Sequence, residues 1–281
     1  TATSTQATSI NGYGEFQIGE DCATFTTANA GPDQTGTATC GLTSVTLNAN
    51  TPAFGSGAWS VLSGSGGSFV DINNPGTTFN GVSGTAYVLR WTVTNGNCSA
   101  QDDVNITFLQ LPTAGITNNS GTTVLTCSQT SISVTGTGGV SYNWDNGLGS
   151  GDTKSISSPG TYNVTVTGSN GCTASAGITI TQDITAPTAG ITNHTGSTEL
   201  NCNTTAISVS ATGGVSYAWD NGLGSGADKN ISSPGTYTVT VTGSNGCTSQ
   251  AQIQITQDIN TPTAVITNVS GTSELTCTVT A

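Results

Sequence analysis

A tandem repeat dominates this chain of 281 residues. The segment Pro-Thr-Ala-Gly-Ile-Thr-Asn occupies 112–118 and again 187–193, and a close variant occupies 262–268. Residues 112–186 and 187–261 are identical at 54 of 75 aligned positions. Because self-similarity at a fixed period is typical of repeat architectures, each period is expected to fold as one structural unit.

The repeat predicts a linear series of units. Cys40, Trp59, Tyr87 and Cys98 follow the order Cys, Trp, Tyr, Cys that also occurs in the two later units. The segment that contains them is therefore interpreted as a diverged copy. The first residues resemble the tail of a preceding unit, and the last ones the start of a following unit. The chain is therefore interpreted as a piece of a longer array, with predicted segments 1–28, 29–111, 112–186, 187–261 and 262–281.

Composition excludes several functional classes. Three Lys and Arg stand against 15 Asp and Glu, which gives a net charge of -12. So few cations cannot neutralise the phosphates of a nucleic acid or an anionic membrane. No apolar run approaches the roughly 18–20 residues that a transmembrane helix needs, so membrane insertion is not expected. The abundance of Thr and Gly favours a β protein.

Alternating apolar residues predict short strands. In 161–167, Tyr162, Val164 and Val166 share one face, and turn sequences such as Asp145-Asn-Gly147 separate successive strands. Several such strands within one repeat favour an all-β fold of tandem immunoglobulin-like, PKD-like antiparallel sandwiches. The Pro-Gly-Thr-Tyr entry to the long strand is typical of a tyrosine corner, in which the Tyr hydroxyl bonds backbone at a loop.

Eight cysteines, without any CxxC pattern, favour disulfides over zinc and hence an oxidising compartment. The second Cys of each unit lies well beyond the Tyr, at the far end of the strand, which argues against the inter-sheet bridge of antibody domains. Pairing within units is the expectation, with each bridge holding one pole of a sandwich to the start of the same unit. Cys22 and Cys277 are expected to lack partners in this segment, and the predicted pairs are Cys40–Cys98, Cys127–Cys172 and Cys202–Cys247.

The segments 138–147, 158–167 and 170–172 resemble repeats of very large cell-surface proteins of the Bacteroidota, the SprB-type gliding-motility adhesins. Residues 28–34, 57–60 and 89–93 are similar to the PKD-like or Ig-like modules of the same family. The resemblance implies an extracellular stalk or adhesin segment without catalysis, exported by type IX secretion. One departure is Trp144-Asp-Asn-Gly147, where PKD domains usually continue Trp-Asp with Phe-Gly-Asp-Gly.

Three kinds of functional site come into question. His194 is the one histidine, in a turn where the preceding repeat has Asn119, so a Ser/His/Asp site is not expected and the chain is predicted not to be an enzyme. Trp59, Trp91, Trp144 and Trp219 would be stacking platforms for carbohydrate only if exposed, and their strand patterns favour burial. No metal site is predicted, and calcium is the weaker alternative, with candidate ligands Asp145, Asp183, Asp220 and Asp258.

The predicted function is that of a stalk segment in a large surface adhesin, disulfide-bonded, non-catalytic and extracellular. The alternatives are a module that binds carbohydrate or another surface, and a subunit of a homopolymeric filament in which edge strands pair. The expected partners are the neighbouring repeats, with an external surface or polysaccharide and the secretion or motility machinery as further candidates. No cofactor is required on this view.

Overall fold

The computed structural model describes residues 25–269, 271 and 273. Cys22, Cys277 and most of the predicted first and last segments therefore lie outside the described residues. The described chain is an all-β, tandem Ig-like structure, as predicted, with one short 3-10 helix at Gly36–Thr39. Within that range, no helix is long and apolar enough to cross a membrane.

The first repeat forms two three-stranded sheets, β2–β5–β6 and β1–β4–β3. Aromatic and aliphatic side chains of both sheets make one buried core, in which Trp59 and Trp91 are direct cross-strand neighbours. The strands are β1 (Ser44–Thr46), β2 (Ser56–Ser63), β3 (Ser68–Phe69), β4 (Thr78–Asn80), β5 (Ala86–Asn95) and β6 (Cys98–Thr107).

The middle repeat has a three-stranded sheet, β12–β9–β7, and a five-stranded sheet, β11–β10–β13–β14–β8. In the larger sheet, β8 joins the end of β14 by parallel pairing. The strands are β7 (Gly115–Asn118), β8 (Val124–Thr126), β9 (Ile132–Thr137), β10 (Ser141–Trp144), β11 (Gly149–Ser150), β12 (Thr153–Ile156), β13 (Gly160–Thr167) and β14 (Thr173–Asp183).

The third repeat has the same plan, with sheets β15–β17–β20 and β16–β22–β21–β18–β19. Its buried core draws on both sheets, with Ile207 and Ile231 from the smaller and Val239 and Val241 from the larger. The strands are β15 (Gly190–Asn193), β16 (Glu199–Leu200), β17 (Ile207–Thr212), β18 (Ser216–Trp219), β19 (Gly224–Ser225), β20 (Asp228–Ile231), β21 (Gly235–Thr242) and β22 (Thr248–Gln257).

Period-two alternation sets which side chains are buried. Strand β13 contains the predicted face of Tyr162, Val164 and Val166, all buried, while Asn163 and Thr165 between them are exposed. Strand β5 follows the same rule with Tyr87, Leu89, Trp91 and Val93. Thr therefore occupies the solvent faces, where a β-branched side chain suits extended backbone without adding charge.

Two predicted local motifs are confirmed. The Asp145-Asn-Gly turn joins β10 to β11, with Asn146 at φ 50° and Gly147 at φ 78°, the positive values that a two-residue hairpin turn requires. Tyr237 forms a tyrosine corner: its ring is buried and its hydroxyl donates to the carbonyl of Ser233 at 3.0 Å.

The chain divides into two compact units. The first consists of residues 1–119, 133–155 and 161–179, and the second of 120–132, 156–160 and 180–281. The middle repeat thus contributes residues to both units. The predicted repeat boundaries stay a prediction.

We expect the folded chain to resist trypsin. Arg90, Lys154 and Lys229, the only cleavage sites in the sequence, all lie within strands, whose backbone must open before a protease can bind it. The reduced and denatured chain should yield four peptides under the same conditions. Digestion is monitored on gels and by mass spectrometry. Rapid cleavage of the oxidised, folded protein after Lys154 or Lys229 would contradict this account.

Candidate functional site

The last two long strands of each later repeat are joined by a Gly-Ser-Asn-Gly-Cys turn, called here the cysteine turn (168–172 and 243–247). In the second copy, Gly243 N–H donates to the carbonyl of Cys247 at 2.8 Å, and Asn245 Oδ1 accepts from Cys247 N–H at 3.1 Å. Gly246 has φ 76°, and a Cβ there would lie 2.6 Å from the Ser128 side chain. Glycine is therefore required both by the backbone angle and by the close neighbour.

Each cysteine turn is bonded to the repeat that precedes it. Cys172 forms a disulfide with Cys40, and Cys247 forms one with Cys127, with Cα–Cα distances of 5.6 and 5.0 Å. The first bridge lies within the first compact unit, and the second bridge lies within the second. We call the two regions joint 1 (Cys40–Cys172) and joint 2 (Cys127–Cys247).

The predicted pairing within repeats is wrong for Cys40–Cys98, Cys127–Cys172 and Cys202–Cys247. Cys98 is disulfide-bonded, but not to Cys40. Cys202 is a free, exposed thiol, since Cys247 is bonded to Cys127 instead. Cysteines were thus correctly predicted to form bridges at five of the six described positions, but with the wrong partners.

Strand geometry explains the error. In the first repeat, Cys98 opens β6, whereas Cys40 forms an isolated parallel bridge with Leu109, beyond the other end of that strand. Eleven residues of extended chain span about 36 Å. A disulfide needs Cα atoms within about 7 Å, so the two cysteines of one repeat cannot meet.

The same separation occurs in the third repeat. Strand β16 pairs in parallel with the end of β22, at Thr256 and Gln257, and Cys202 follows β16 closely. Cys247 precedes the start of β22. Every repeat therefore carries one cysteine at each end of its last strand, and in the first two repeats the cysteine at the far end is bonded to the next copy.

Joint 2 also contains a side-chain contact that sequence reasoning missed. Asn245 Nδ2 donates to the carbonyl of Thr185 at 2.9 Å and to Asp183 Oδ1 at 3.1 Å. In joint 1, the equivalent Asn170 Nδ2 donates to the carbonyl of Gln110 at 2.8 Å. The invariant Ser-Asn-Gly-Cys sequence of the two copies was identified as a turn, and its asparagine also fixes that turn to the preceding linker.

The electrostatics of joint 2 centre on Asp183. The backbone N–H of Thr185 and the side-chain amide of Asn245 both donate to its carboxylate and hold its pKa below the usual value. Donors of this kind stabilise the charged form of a carboxylate. Asp183, which the sequence placed among calcium candidates, is thus a polar contact of the joint.

Each joint opens into a shallow groove of similar size, about 480 Å³ at joint 1 and 490 Å³ at joint 2. Val140 and Val215 lie at equivalent places in the two grooves, and both are 69% exposed. Asp183 is the one charged residue that lines either groove in the described part of the chain.

The other calcium candidates have local hydrogen-bond partners. Asp145 accepts from the backbone and side-chain N–H groups of Asn163, both at 2.8 Å, and these donors lower its pKa. Asp220 accepts from Thr238 N–H and Asp258 from Asn260 N–H, each at 2.9 Å. Among the described residues, no group of three or more His, Cys, Asp and Glu side chains comes together as a metal site would require. Calcium stays a prediction that melting with and without chelator tests.

His194 does contact a serine and an aspartate, in an order unlike a catalytic triad. Its Nε2 lies 2.7 Å from Ser210 Oγ, and Ser210 Oγ donates to Asp228 Oδ1 at 2.5 Å. In a triad, the carboxylate orients the histidine and the serine is free to attack. Here the serine proton is directed to the carboxylate, so the arrangement is a polar cross-strand contact.

The four tryptophans are buried, with exposures of 0 to 6%, which confirms the core assignment and leaves none of them as a carbohydrate platform. Trp144 and Trp219 Nε1 donate to the carbonyls of Gly151 and Gly226 at 3.0 and 3.1 Å. Trp59 and Trp91 Nε1 are buried without a hydrogen-bond partner.

No family model and no curated protein matches this chain. Solved structures with a similar fold include the I-band fragment I67–I69 from titin (9% identity, TM-score 0.35, covering 83% of this chain and 98% of that one). Sidekick-1 immunoglobulin domains 1–5 match at 11% identity and TM-score 0.29, over 84% of this chain and 60% of theirs. Fibronectin(III)-like modules of Clostridium thermocellum CbhA match at 12% identity and TM-score 0.26, over 51% and 95%. These likenesses concern the fold alone.

We expect joint 2 to weaken in acid through Asp183. Its folded-state pKa lies below the unfolded value of about 3.9, so its contribution to stability is complete above that value and is lost as the pH falls through the folded pKa. Asp183→Asn keeps an acceptor oxygen but does not titrate. Urea unfolding between pH 6 and pH 2 should therefore show a smaller loss of stability in the variant than in the parent chain, and identical pH profiles would exclude this role.

The bridge of joint 2 should contribute strongly to stability. It closes a separation of 120 residues, for which chain entropy gives about 5 kcal/mol. Cys127→Ser should lower the free energy of unfolding by up to that amount, and Cys202→Ser, at the equivalent free and exposed position, should change it by less than about 0.5 kcal/mol. Equal effects of the two substitutions in calorimetry would contradict the assignment.

Proposed function

We propose that this chain is a non-catalytic stalk segment of an extracellular adhesin, in which disulfides between successive repeats carry tension. The observation behind the proposal is the pair of bridges Cys40–Cys172 and Cys127–Cys247. Each connects the first cysteine of one repeat to the cysteine turn of the next. A bridge inside a repeat would stabilise that repeat, whereas these bridges hold consecutive repeats to each other.

The two bridges overlap in sequence, which limits how far the chain can extend. Cys40 and Cys247 are 207 residues apart along the backbone. The shortest covalent path between them runs through the first bridge to Cys172, back along 45 residues to Cys127, and through the second bridge to Cys247. At about 3.4 Å per residue, that path reaches about 150 Å, against about 700 Å for the unbridged chain.

Tension on such a segment therefore passes through sulfur atoms at each joint. The linker that contains Pro187 is therefore not the only covalent connection between the second and third repeats, because the bridge of joint 2 also connects them. If the first or the third repeat unfolds, the bridges hold most of its length in reserve and keep the adjacent repeats attached. This is a useful property for a stalk that projects a distal domain against external force.

The surface supports an extracellular position. Disulfides persist in oxidising environments outside the cytosol. Only 6% of residues are charged, and Thr occupies most of the outward positions of the long strands β13 and β21, so the surface is hydroxyl-rich and weakly acidic. The three basic residues are engaged: Arg90 with Asp103 at 2.7 Å, and Lys154 and Lys229 with the carbonyls of Ser150 and Ser225.

The finer assignment rests on sequence resemblance. The likeness of 138–147, 158–167 and 170–172 to Bacteroidota surface repeats supports membership of a gliding-motility type of adhesin exported by type IX secretion. Its partners would then be the neighbouring repeats, with an external surface or polysaccharide at the distal end. The low charge of the repeats argues for a spacer role in this segment rather than direct contact with an ionic ligand.

Single-molecule pulling from the two chain ends tests the stalk proposal. Under oxidising conditions, unfolding should extend the Cys40–Cys247 segment to no more than about 150 Å, and reduction should raise this limit to about 700 Å. The double variant Cys40→Ser, Cys127→Ser should behave like the reduced chain without reductant. An extension that is the same before and after reduction would refute a tension-bearing role for the bridges.

A further inference from the structure

Cys202 occupies the same repeat position as the two cysteines that receive a cysteine turn. It lies one repeat after Cys127, which is bonded to Cys247, and it corresponds to Cys40, which is bonded to Cys172. Two equivalent positions thus bind the same chemical group, the thiol of a Gly-Ser-Asn-Gly-Cys turn. Cys202 itself is free and exposed.

The turn that holds Cys202 is closed by the same backbone hydrogen bond as the turn that holds Cys127. In joint 2, Thr126 N–H donates to the carbonyl of Gln129 at 2.9 Å, which closes the turn that presents Cys127. In the third repeat, Asn201 N–H donates to the carbonyl of Thr204 at the same distance. Cys202 is therefore held in a preformed turn without a bound partner.

The polar half of the joint is also present. Asp258 lies one repeat after Asp183 and accepts from Asn260 N–H at 2.9 Å, as Asp183 accepts from Thr185 N–H at 3.1 Å. In joint 2, the oxygen that binds Thr185 also binds the Asn245 amide. A carboxylate has about four lone-pair sites, so Asp258 retains capacity for such an amide.

We infer that the Cys202 end of the third repeat is the receiving half of a further joint. Its partner is the cysteine turn of another repeat, bonded through sulfur to Cys202, with the asparagine of that turn donating to Asp258 and to the carbonyl of Asn260. The inference rests on the proposed stalk function and adds a specific attachment site. The partner turn comes either from a repeat that follows in one chain or from a second copy of the protein.

The covalent step is a thiol–disulfide exchange. The partner cysteine first forms a mixed disulfide with a small oxidant such as oxidised glutathione, which releases one glutathione thiol. The Cys202 thiolate then attacks the partner sulfur, the new S–S bond forms, and the second glutathione leaves as a thiol. The two electrons and two protons lost by the cysteines end on glutathione.

The test is an extended protein in which residues 187–261 occur twice in tandem after Ala186, the second copy being followed by 262–281. It is refolded in a glutathione redox buffer. Non-reducing peptide mapping should show Cys202 bonded to the cysteine of the appended turn, equivalent to Cys247. A monomer on a non-reducing gel identifies the following repeat as the source, and a disulfide-linked dimer identifies a second copy. Cys202→Ser in the extended protein should leave the appended cysteine free to alkylate.

Asp258→Ala provides the specificity control, since it removes the acceptor but leaves the thiol. It should slow formation of the Cys202 bridge several-fold, whereas the reaction of Cys202 with a small disulfide reagent should be unchanged. In a second arm, the 281-residue chain is mixed with its Cys127→Ser variant, in which Cys247 has lost its partner. A heterodimer should form through Cys202 of the first chain and Cys247 of the variant. It should be absent when the first chain carries Cys202→Ser.

The inference is wrong if Cys202 remains free in both arms, or if it bonds to Cys247 of its own repeat. In the first case, intact Cys40–Cys172 and Cys127–Cys247 bridges would leave the stalk proposal standing. Loss of those two bridges in the parent chain would instead remove the basis of both proposals.

Discussion

The parallel pairing of a very short edge strand with the last long strand determines how this chain is connected. It places the first cysteine of each repeat beside the far end of the last strand, while the second cysteine lies at the start of that strand. The length of the strand, about 33–36 Å, separates them. The two cysteines of one repeat therefore cannot bond to each other. Each lies at an end of the last strand, where it can meet a repeat that is adjacent in sequence.

This placement makes a single repeat sequence sufficient for an indefinite series. The two later copies each carry both a receiving cysteine and a cysteine turn, at opposite ends of the last strand, and the first copy carries Cys40 and Cys98 at the same two ends. The Asn side chain of the turn and the carbonyl groups of the linker add hydrogen bonds that favour the correct partner. Bridges over 120 and 132 residues also constrain the unfolded chain more than a shorter bridge within one repeat would. That contribution matters for a chain with 33% hydrophobic residues and small cores.

Local patterns predicted most of the fold. The alternation in 161–167 indicated the buried face of β13, and the Asp-Asn-Gly and Pro-Gly-Thr-Tyr motifs indicated a hairpin turn and a tyrosine corner, because each of these depends on neighbouring residues. The strand β16 of two residues has no alternation to detect, and parallel pairing leaves no turn between the partners. Without that strand, the distance between the cysteines of one repeat was not evident, and the pairing was predicted wrongly. The asparagine contact was missed for a similar reason, since its partners lie 60 and 62 residues away.

The central claim is that disulfides connect successive repeats, and the pairing itself tests it most directly. The protein is alkylated without reduction, denatured, digested with trypsin and a second protease, and sequenced by tandem mass spectrometry. The account predicts peptides that join Cys40 to Cys172 and Cys127 to Cys247. Peptides that join Cys40 to Cys98, or Cys127 to Cys172, would show that the bridges close within repeats and would contradict it.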